Sequence, residues 1–257
     1  MAFLEIRNVG MRFGGLHALS DVSFDVERGS VVGLIGPNGS GKTTLMNVIS
    51  GVHKPTSGSV SFGGRTIADV RTHDVCKLGI ARTFQIVKPF ANLTVRENVA
   101  VGAMFGRDGK KRSTSQAFEH ASELLEIVSL ARVADRPASE LTIPDRKRLE
   151  VAKALALDPD VLLLDEVMAG LNASEVDEAL DLLRSLSARG VTLIVVEHLM
   201  KAIMSVSTTI VVLAEGKKIA EGAPTEVTST PAVIEAYLGA RYVRRVEAAR
   251  IAAEGAR

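Results

Sequence analysis

The amino-acid sequence predicts an α/β fold with a parallel sheet core, an N-terminal antiparallel β layer and an inserted helical subdomain. Residues 31–35, 161–164 and 191–196 are unbroken apolar runs of strand length, which are typical of parallel strands covered on both faces. Residues 4–26 instead contain two alternating stretches separated by a glycine turn, which is typical of an antiparallel pair. Between residues 93 and 157, apolar residues recur at spacings of three and four, which indicates helices.

In chain order, the β layer should continue past the first two strands, because a turn at residues 56–58 leads into the alternating residues 60–62. Residues 78–85 should form a short strand that ends in glutamine. Further on, residues 209–214 and 217–220 flank Glu215 and Gly216, which predicts a closing hairpin.

Two amphipathic faces predict the helices of the inserted subdomain. The polar, basic stretch 106–115 separates them and should be a solvated loop; a phosphate or lipid contact is the alternative. The expected buried faces consist of Phe118, Ala121, Leu125 and Val128, and of Leu149, Ala152, Leu155 and Ala156. We expect a single domain over 1–257, with its core and β layer in about 1–92 and 158–230, the helical subdomain in about 93–157, and a helical tail in about 231–257.

Composition argues against several classes of protein. The 257 residues carry a formal net charge of +1, with no Trp and two Tyr, so a basic nucleic-acid-binding surface with stacking aromatics is not expected. Cys76 is the single cysteine, which rules out an intrachain disulfide and a cysteine metal cluster. The N-terminus lacks a signal-peptide pattern, and no apolar run is long enough to span a bilayer. We therefore expect a cytoplasmic chain.

Residues 31–45, VVGLIGPNGSGKTTL, predict a phosphate-binding loop between a buried strand and a helix. Glycines 36, 39 and 41 would let main-chain N–H groups approach a triphosphate closely. The helix start adds partial positive charge, Lys42 would lie against the β and γ phosphates, and the Thr43 hydroxyl would bind Mg²⁺. The alternative is a glycine-rich strand-to-helix turn without a ligand.

Three polar residues follow two other predicted strands. Asp165 and Glu166 end the run VLLLDE, and His198 follows the strand at 191–196. Parallel α/β sheets bind their ligands at the carboxyl ends of strands, so Asp165 can hold Mg²⁺ and Glu166 can orient or deprotonate the attacking water. His198 would bond the γ phosphate. Strand capping by the two acids, and a merely packed or solvated histidine, are the alternatives.

These motifs jointly resemble those of an ABC transporter ATP-binding subunit, which implies a P-loop NTPase core of the RecA-like type. GPNGSGKTT is similar to the family's Walker A loop, which implies contacts from Gly36, Pro37, Asn38, Gly39, Ser40, Gly41, Lys42, Thr43 and Thr44 to ATP. VLLLDE is similar to Walker B, with Asp165 at Mg²⁺ and Glu166 as general base. His198 falls on the switch histidine, and residues 169–172 fall on the D-loop.

Two further positions take their roles from the resemblance alone. Phe13 falls where an aromatic side chain stacks on adenine, and Gln85, in RTFQ, falls on the Q-loop glutamine, which contacts Mg²⁺ and takes part in catalysis.

The details ARTFQ, LTVRENV, AGLN and VEHLM look most like the subfamily that powers high-affinity import of branched-chain amino acids. The resemblance implies an ATPase peripheral to the cytoplasmic face of the plasma (inner) membrane. Its partners would be a second ATP-binding subunit, integral membrane permease subunits and, indirectly, a solute-binding protein, with no nucleic acid. The alternatives are a regulatory half with weakened turnover and a soluble ABC-type ATPase not linked to transport.

One motif departs from the family pattern. LTIPD, residues 141–145, occupies the place of the LSGGQ signature, which in this family completes the partner subunit's nucleotide site. Thr142 can supply the hydroxyl in trans, but Pro144 has no N–H to donate. Asp145 adds a negative charge or serves its own helix start. Either the chain pairs with a related subunit that has an intact signature, or the subfamily tolerates LTIPD.

Overall fold

The computed structural model describes residues 2–67, 69–83, 89–107 and 112–238. Gln85 and the arginine-rich end of the chain lie outside the described residues. The strands are β1 Leu4–Phe13, β2 Leu16–Val26, β3 Val31–Ile35, β4 Ser57–Phe62, β5 Arg65–Thr66, β6 Ile80–Arg82, β7 Val161–Asp165, β8 Thr192–Val196, β9 Thr209–Ala214 and β10 Lys217–Gly222. The helices are α1 Lys42–Ile49, α2 Thr72–Leu78, α3 Val95–Ala103, α4 Thr114–Ile127, α5 Ile143–Leu155, α6 Ala173–Ala188, α7 Met200–Val206, α8 Pro224–Thr228 and α9 Pro231–Leu238.

The predicted parallel sheet is confirmed, and its strand order is β10-β9-β3-β8-β7-β6. Strands β9, β3, β8, β7 and β6 pair in parallel, and β10 pairs antiparallel with β9 as the predicted hairpin. Alternate residues of β7 belong to different core clusters: Leu162 and Leu164 pack in the cluster formed with the helices, and Val161 and Leu163 in the cluster formed with the β layer. Burial on both faces explains the unbroken apolar runs.

The predicted antiparallel layer is also confirmed. Its strand order is β2-β1-β4-β5, with β1 antiparallel to both β2 and β4. The strand predicted at residues 78–85 is shorter among the described residues, because α2 runs to Leu78 and Gly79 ends that helix at φ 110°. Within the described residues, Ile80–Arg82 pair with β7, and the Thr83 N–H donates to the Leu163 carbonyl at 2.9 Å.

Helices α3, α4 and α5 lie within residues 93–157, and seven of the eight predicted face residues there are buried, with Phe118 partly buried. A separate subdomain at these boundaries stays a prediction. The loop predicted to end at Ser115 ends earlier, because the Ser113 side chain caps α4 in a capping box with Gln116. Arg112 is ion-paired with Asp158 rather than simply solvated; residues 108–111 are outside the described part. No described helix has both the length and the apolar character that a bilayer crossing requires.

Candidate active site

The loop after β3 brings the main chain very close to its neighbours. A Cβ at Gly36 would lie 2.1 Å from the carbonyl oxygen of Leu213, and one at Gly41 would lie 2.7 Å from that of Ala18. Gly41, at φ 102°, also adopts a conformation that side chains disfavour. These positions therefore require glycine, because strands β2 and β9 leave no room for a larger residue.

The start of α1 offers main-chain donors to an anion. No side chain caps this helix, and its first turn carries no acidic residue, so the N–H groups and the helix dipole are oriented toward the loop without a protein anion to satisfy them. The Thr43 side chain at this end is exposed. The glycine cradle and the uncapped helix fit the triphosphate predicted from the sequence.

Lys42 is buried beneath this loop, with 7% of its surface exposed. Its Nζ donates to the carbonyl oxygens of Gly36 at 2.8 Å and Pro37 at 2.9 Å. Burial lowers the pKa of Lys42, and the negative charges of Glu166 and Asp165 oppose that change. The three side chains are thus close enough to interact electrostatically, although they come from distant parts of the sequence.

Asp165 ends β7 in a buried polar environment that the sequence did not reveal. Its Oδ2 accepts a hydrogen bond from Arg82 at 2.8 Å, and both side chains are more than nine-tenths buried. Arg82 also donates to Asn47 on α1. The Asp165 main-chain N–H donates to the Thr83 hydroxyl at 3.2 Å. Asp165 and Thr43 supply the hard oxygen donors that Mg²⁺ prefers, so these residues fit the predicted metal.

Glu166 follows in a left-handed conformation, with φ 52°. A non-glycine residue there costs about 1–3 kcal/mol and persists only where its surroundings hold it. Its N–H donates to the Val196 carbonyl at 2.9 Å, and its Oε1 lies 2.7 Å from His198 Nε2. The two residues predicted to act on water and phosphate are therefore in direct contact.

The turn after Glu166 is anchored by two charged side chains that sequence reasoning missed. Lys147, on α5, donates to the carbonyl oxygens of Glu166 at 3.1 Å and of Ala169. Glu197 is 2% exposed and accepts a hydrogen bond from the Met168 N–H at 2.6 Å. Burial raises the pKa of Glu197, and the Met168 hydrogen bond opposes that rise. Glu197 could have been found from the sequence, because it directly precedes His198. No sequence pattern indicated Lys147.

Phe13 is an exposed aromatic residue of the β layer. Phe13 ends β1 with 44% of its surface exposed, and its ring lies edge-on to that of His53 at a centroid distance of 5.3 Å. An exposed ring on the β layer is compatible with stacking, and its role toward adenine stays a prediction. Gln85 lies outside the described residues, and so do its predicted contacts.

The LTIPD segment forms the start of α5. The Thr142 hydroxyl accepts a hydrogen bond from the Asp145 N–H at 3.3 Å as the helix N-cap, and Pro144 occupies the first turn. The Asp145 side chain is buried, with Arg132 at 3.4 Å and Arg148 at 3.6 Å. Its charge is thus neutralised within the chain. The role of Thr142 in trans stays a prediction.

The C-terminal helix α9 lies beside the phosphate-binding loop. Residues 37–40, the β9–β10 turn and α9 line a cavity of about 560 Å³. Tyr237 on α9 is 40% exposed, and its partial burial raises the pKa of its hydroxyl group, an effect that the Gly36 main chain opposes. The sequence predicted a helix here but not its place against the loop.

Comparison with known proteins agrees with this geometry. Residues 19–169 match the family model described as ABC transporter, and residues 217–243 match that of the Branched-chain amino acid ATP-binding cassette transporter. The chain is 39% identical over 248 residues to the high-affinity branched-chain amino acid transport ATP-binding protein BraF of Pseudomonas aeruginosa, and 36% identical over 248 residues to LivG of Escherichia coli, which carries the same description. Both alignments cover 92% of this chain and 97% of the relative.

Solved structures are similar over nearly the same length. The ADP conformation of an ATP-binding cassette of an ABC transporter superposes with a TM-score of 0.84 at 32% identity, covering 93% of this chain and 99% of that one. A dimeric, post-hydrolysis cassette bound to ADP and Pi gives a TM-score of 0.77 at 27% identity, covering 86% and 98%. The chain therefore belongs to the ABC transporter family, as one of its ATP-binding cassettes.

Proposed function

We propose that this chain is the ATP-hydrolysing subunit of an ABC importer and drives the permease movements that take up branched-chain amino acids or related small solutes. The observation that carries the proposal is the convergence of Lys42, Asp165, Glu166 and His198 at one edge of the sheet beside a glycine cradle. The relatives named for branched-chain amino acid transport support the solute class.

Binding would fall to the phosphate loop. The uncapped N–H groups at the start of α1 would donate to phosphate oxygens, and Lys42 would exchange its present contacts with the Gly36 and Pro37 carbonyls for phosphate contacts. Thr43, Asp165 and Gln85 would hold Mg²⁺, which when bound neutralises phosphate charge. Phe13 would cover the adenine.

Glu166 would accept the proton of the attacking water, since its carboxylate lies at the carboxyl end of β7 and its turn is held from two sides. His198, now 2.7 Å from the Glu166 carboxylate, would orient that carboxylate and contact the γ phosphate. A base fixed in position is effective because the proton donor and acceptor must come within hydrogen-bond distance.

The partners follow from the family. A dimeric cassette among the similar structures supports pairing with a second ATP-binding subunit. The transport role of the relatives supports attachment to permease subunits at the cytoplasmic face of the membrane, and an indirect link to a solute-binding protein.

The LTIPD segment favours a particular pairing. Pro144 cannot donate a main-chain hydrogen bond to the neighbour's nucleotide, so we propose a heterodimer in which the second subunit has an intact signature. Mixing the two purified chains should give more ATPase activity than either alone. Full activity of a homodimeric transporter, unimproved by Pro144→Gly, would contradict the heterodimer.

Tolerance of LTIPD is the second candidate, and the inward ion pairs of Asp145 favour it, because they keep the extra negative charge from facing phosphate. Under that interpretation a homodimer hydrolyses ATP normally. A weakly hydrolysing regulatory half, by contrast, would bind ATP in the assembled complex without turning it over.

Glu166→Gln tests the base. In the complex that copurifies with the chain from membranes, we expect turnover to fall by about 10²-fold or more, because the amide cannot accept the proton, while ATP stays bound. The matched control is Glu119→Gln, on an exposed position of α4. Rapid turnover by the Glu166 variant would refute the assignment.

Lys42→Ala tests the phosphate site. We expect retention of a fluorescent ATP analogue to fall by at least about 10-fold, since a buried, charge-assisted contact is lost. Lys201→Ala removes the same charge from an exposed position on α7 and should bind normally. Intact binding and hydrolysis in the Lys42 variant would contradict the phosphate-loop interpretation.

The proteins captured with the chain, and the solute that their binding protein retains, identify the transport function.

A further inference from the structure

The left-handed turn that presents Glu166 is held from α5 as well as from the sheet. Lys147 Nζ donates to the Glu166 carbonyl oxygen at 3.1 Å and also to the Ala169 carbonyl oxygen. The Glu166 carbonyl additionally accepts the Ala169 N–H at 3.3 Å. One ammonium group therefore closes both ends of a four-residue turn.

The ammonium group of Lys147 is placed where its charge is not fully solvated. Lys147 is partly buried, and burial lowers its pKa, with the charges of Glu197 and Glu166 opposing that change. Partial burial of the Lys147 ammonium group costs free energy unless polar groups replace the lost water. Two carbonyl oxygens and two nearby carboxylates do so here.

The orientation of the Glu166 peptide depends on these contacts. Glu166 has φ 52°, and a residue in that conformation needs its surroundings to hold it. The Val196 carbonyl fixes the Glu166 N–H from β8, and Lys147 fixes the Glu166 carbonyl from α5. Loss of the Lys147 anchor removes the contact that joins the Glu166 carbonyl to α5 and so weakens the hold on the side that continues into residues 167–170.

We infer that Lys147 is a positioning residue for Glu166, holding the turn at residues 166–169 so that the carboxylate keeps its orientation beside His198. The inference rests on the proposed function of Glu166 as general base. It makes the orientation of that base depend on α5, the helix that starts at LTIPD.

The test compares Lys147→Met with wild type in the copurified complex. We expect kcat to fall by about 10-fold or more, because small displacements of a catalytic group have large effects on rate. The dissociation constant for ATP should stay within about 2-fold, because the hydrogen bonds that Lys147 makes to described residues go to Glu166 and Ala169 rather than to the phosphate loop. Lys147→Arg should recover most of the rate, and Lys201→Met, on exposed α7, should match wild type.

A structural readout accompanies the kinetics. Amide hydrogen exchange measured by mass spectrometry should speed up about 10-fold in residues 166–171 of K147M, with no change in α1. Lys147→Gln replaces K147M in these experiments if K147M does not fold. The glutamine side chain is too short to reach both carbonyl oxygens, so we expect the same loss of kcat and the same faster exchange.

A double variant separates this inference from the proposed function. If Lys147 acts through Glu166, K147M adds no further loss of single-turnover rate in the E166Q background. The positioning role would be overturned if the rate losses of K147M and E166Q multiplied in the double variant, or if K147M had a wild-type kcat. E166Q would remain inactive in either case. Wild-type turnover by E166Q itself would instead reject the general base and, with it, the proposed function.

Discussion

Glycines around the phosphate loop show how single positions determine the site. Gly41 combines a positive φ of 102° with close neighbours on β2, since an added Cβ would lie 2.7 Å from both the Ala18 carbonyl oxygen and Leu19 Cδ2. Gly190 has a similar φ of 88° but no atom within 4 Å of such a Cβ. The comparison separates backbone strain from steric conflict.

Gly41→Ala should therefore be more damaging than Gly190→Ala. Both introduce backbone strain of about 1–3 kcal/mol, but only the Gly41 variant must also displace β2 or the start of α1. We expect a lower unfolding free energy in urea and loss of nucleotide-analogue retention for Gly41→Ala. Equal effects of the two substitutions would mean that the close approach to β2 is unimportant.

Helix α5 is the element on which several features of the site depend. It begins at the LTIPD segment, its Thr142 caps the first turn, and its Asp145 is ion-paired with Arg132 and Arg148. Two residues after Asp145, Lys147 contacts the turn after β7. The helix thus connects the predicted trans contact to the predicted base.

Thr142→Ala should lower the free energy of unfolding by about 1 kcal/mol, because the cap hydrogen bond to the Asp145 N–H is lost. Thr142→Ser keeps the hydroxyl and should unfold in urea like wild type. Unchanged stability of the alanine variant would show that the cap is dispensable. ATP-driven dimerisation, measured in the same variants, would separately test the predicted contact in trans.

At the scale of the whole molecule, ion pairs join distant elements at the amino end of β7. Asp160 pairs with Arg28 at 3.2 Å and Arg107 at 2.5 Å, and Asp158 pairs with Arg112 at 2.5 Å and His120 at 3.0 Å. These contacts connect the β layer and the helices of residues 93–157 to the sheet. They lie at the edge opposite the candidate active site.

His120 makes the stabilisation from these ion pairs depend on pH. Its ion-pair contact with Asp158, 3.0 Å from His120 Nε2, raises the pKa of His120 against the effect of burial. Burial disfavours the Asp158 charge, but the ion pair with His120 and the hydrogen bond from Arg112 outweigh it and lower the pKa of Asp158. A raised histidine pKa stabilises the fold fully below the unfolded value of about 6.5, and this stabilisation is lost as the pH rises through the folded pKa.

His120→Gln should therefore destabilise the protein by about 1 kcal/mol more at pH 6 than at pH 8.5. Urea unfolding at the two pH values measures the difference, and His17→Gln, on an exposed part of β2, is the control. A loss that is the same at both values would show that the charged form of His120 contributes nothing.

The sequence by itself determined the sheet, the β layer and the identity of the phosphate loop, because apolar periodicity and the glycine–lysine spacing are local properties of the chain. It also indicated Asp165, Glu166 and His198, since residues at the carboxyl ends of parallel strands converge. The two strand ends that carry these residues do lie together, because β7 pairs with β8, and His198 is in contact with Glu166.

The tertiary structure alone decided which distant charges meet. Arg82 reaches Asp165 and Lys147 reaches the Glu166 turn because β6 pairs with β7 and because α5 packs near that turn. No spacing along the chain encodes such contacts: they depend on the relative placement of elements 19 to 83 residues apart. Burial then makes these pairings necessary, since a charge removed from water is stable only beside its partner.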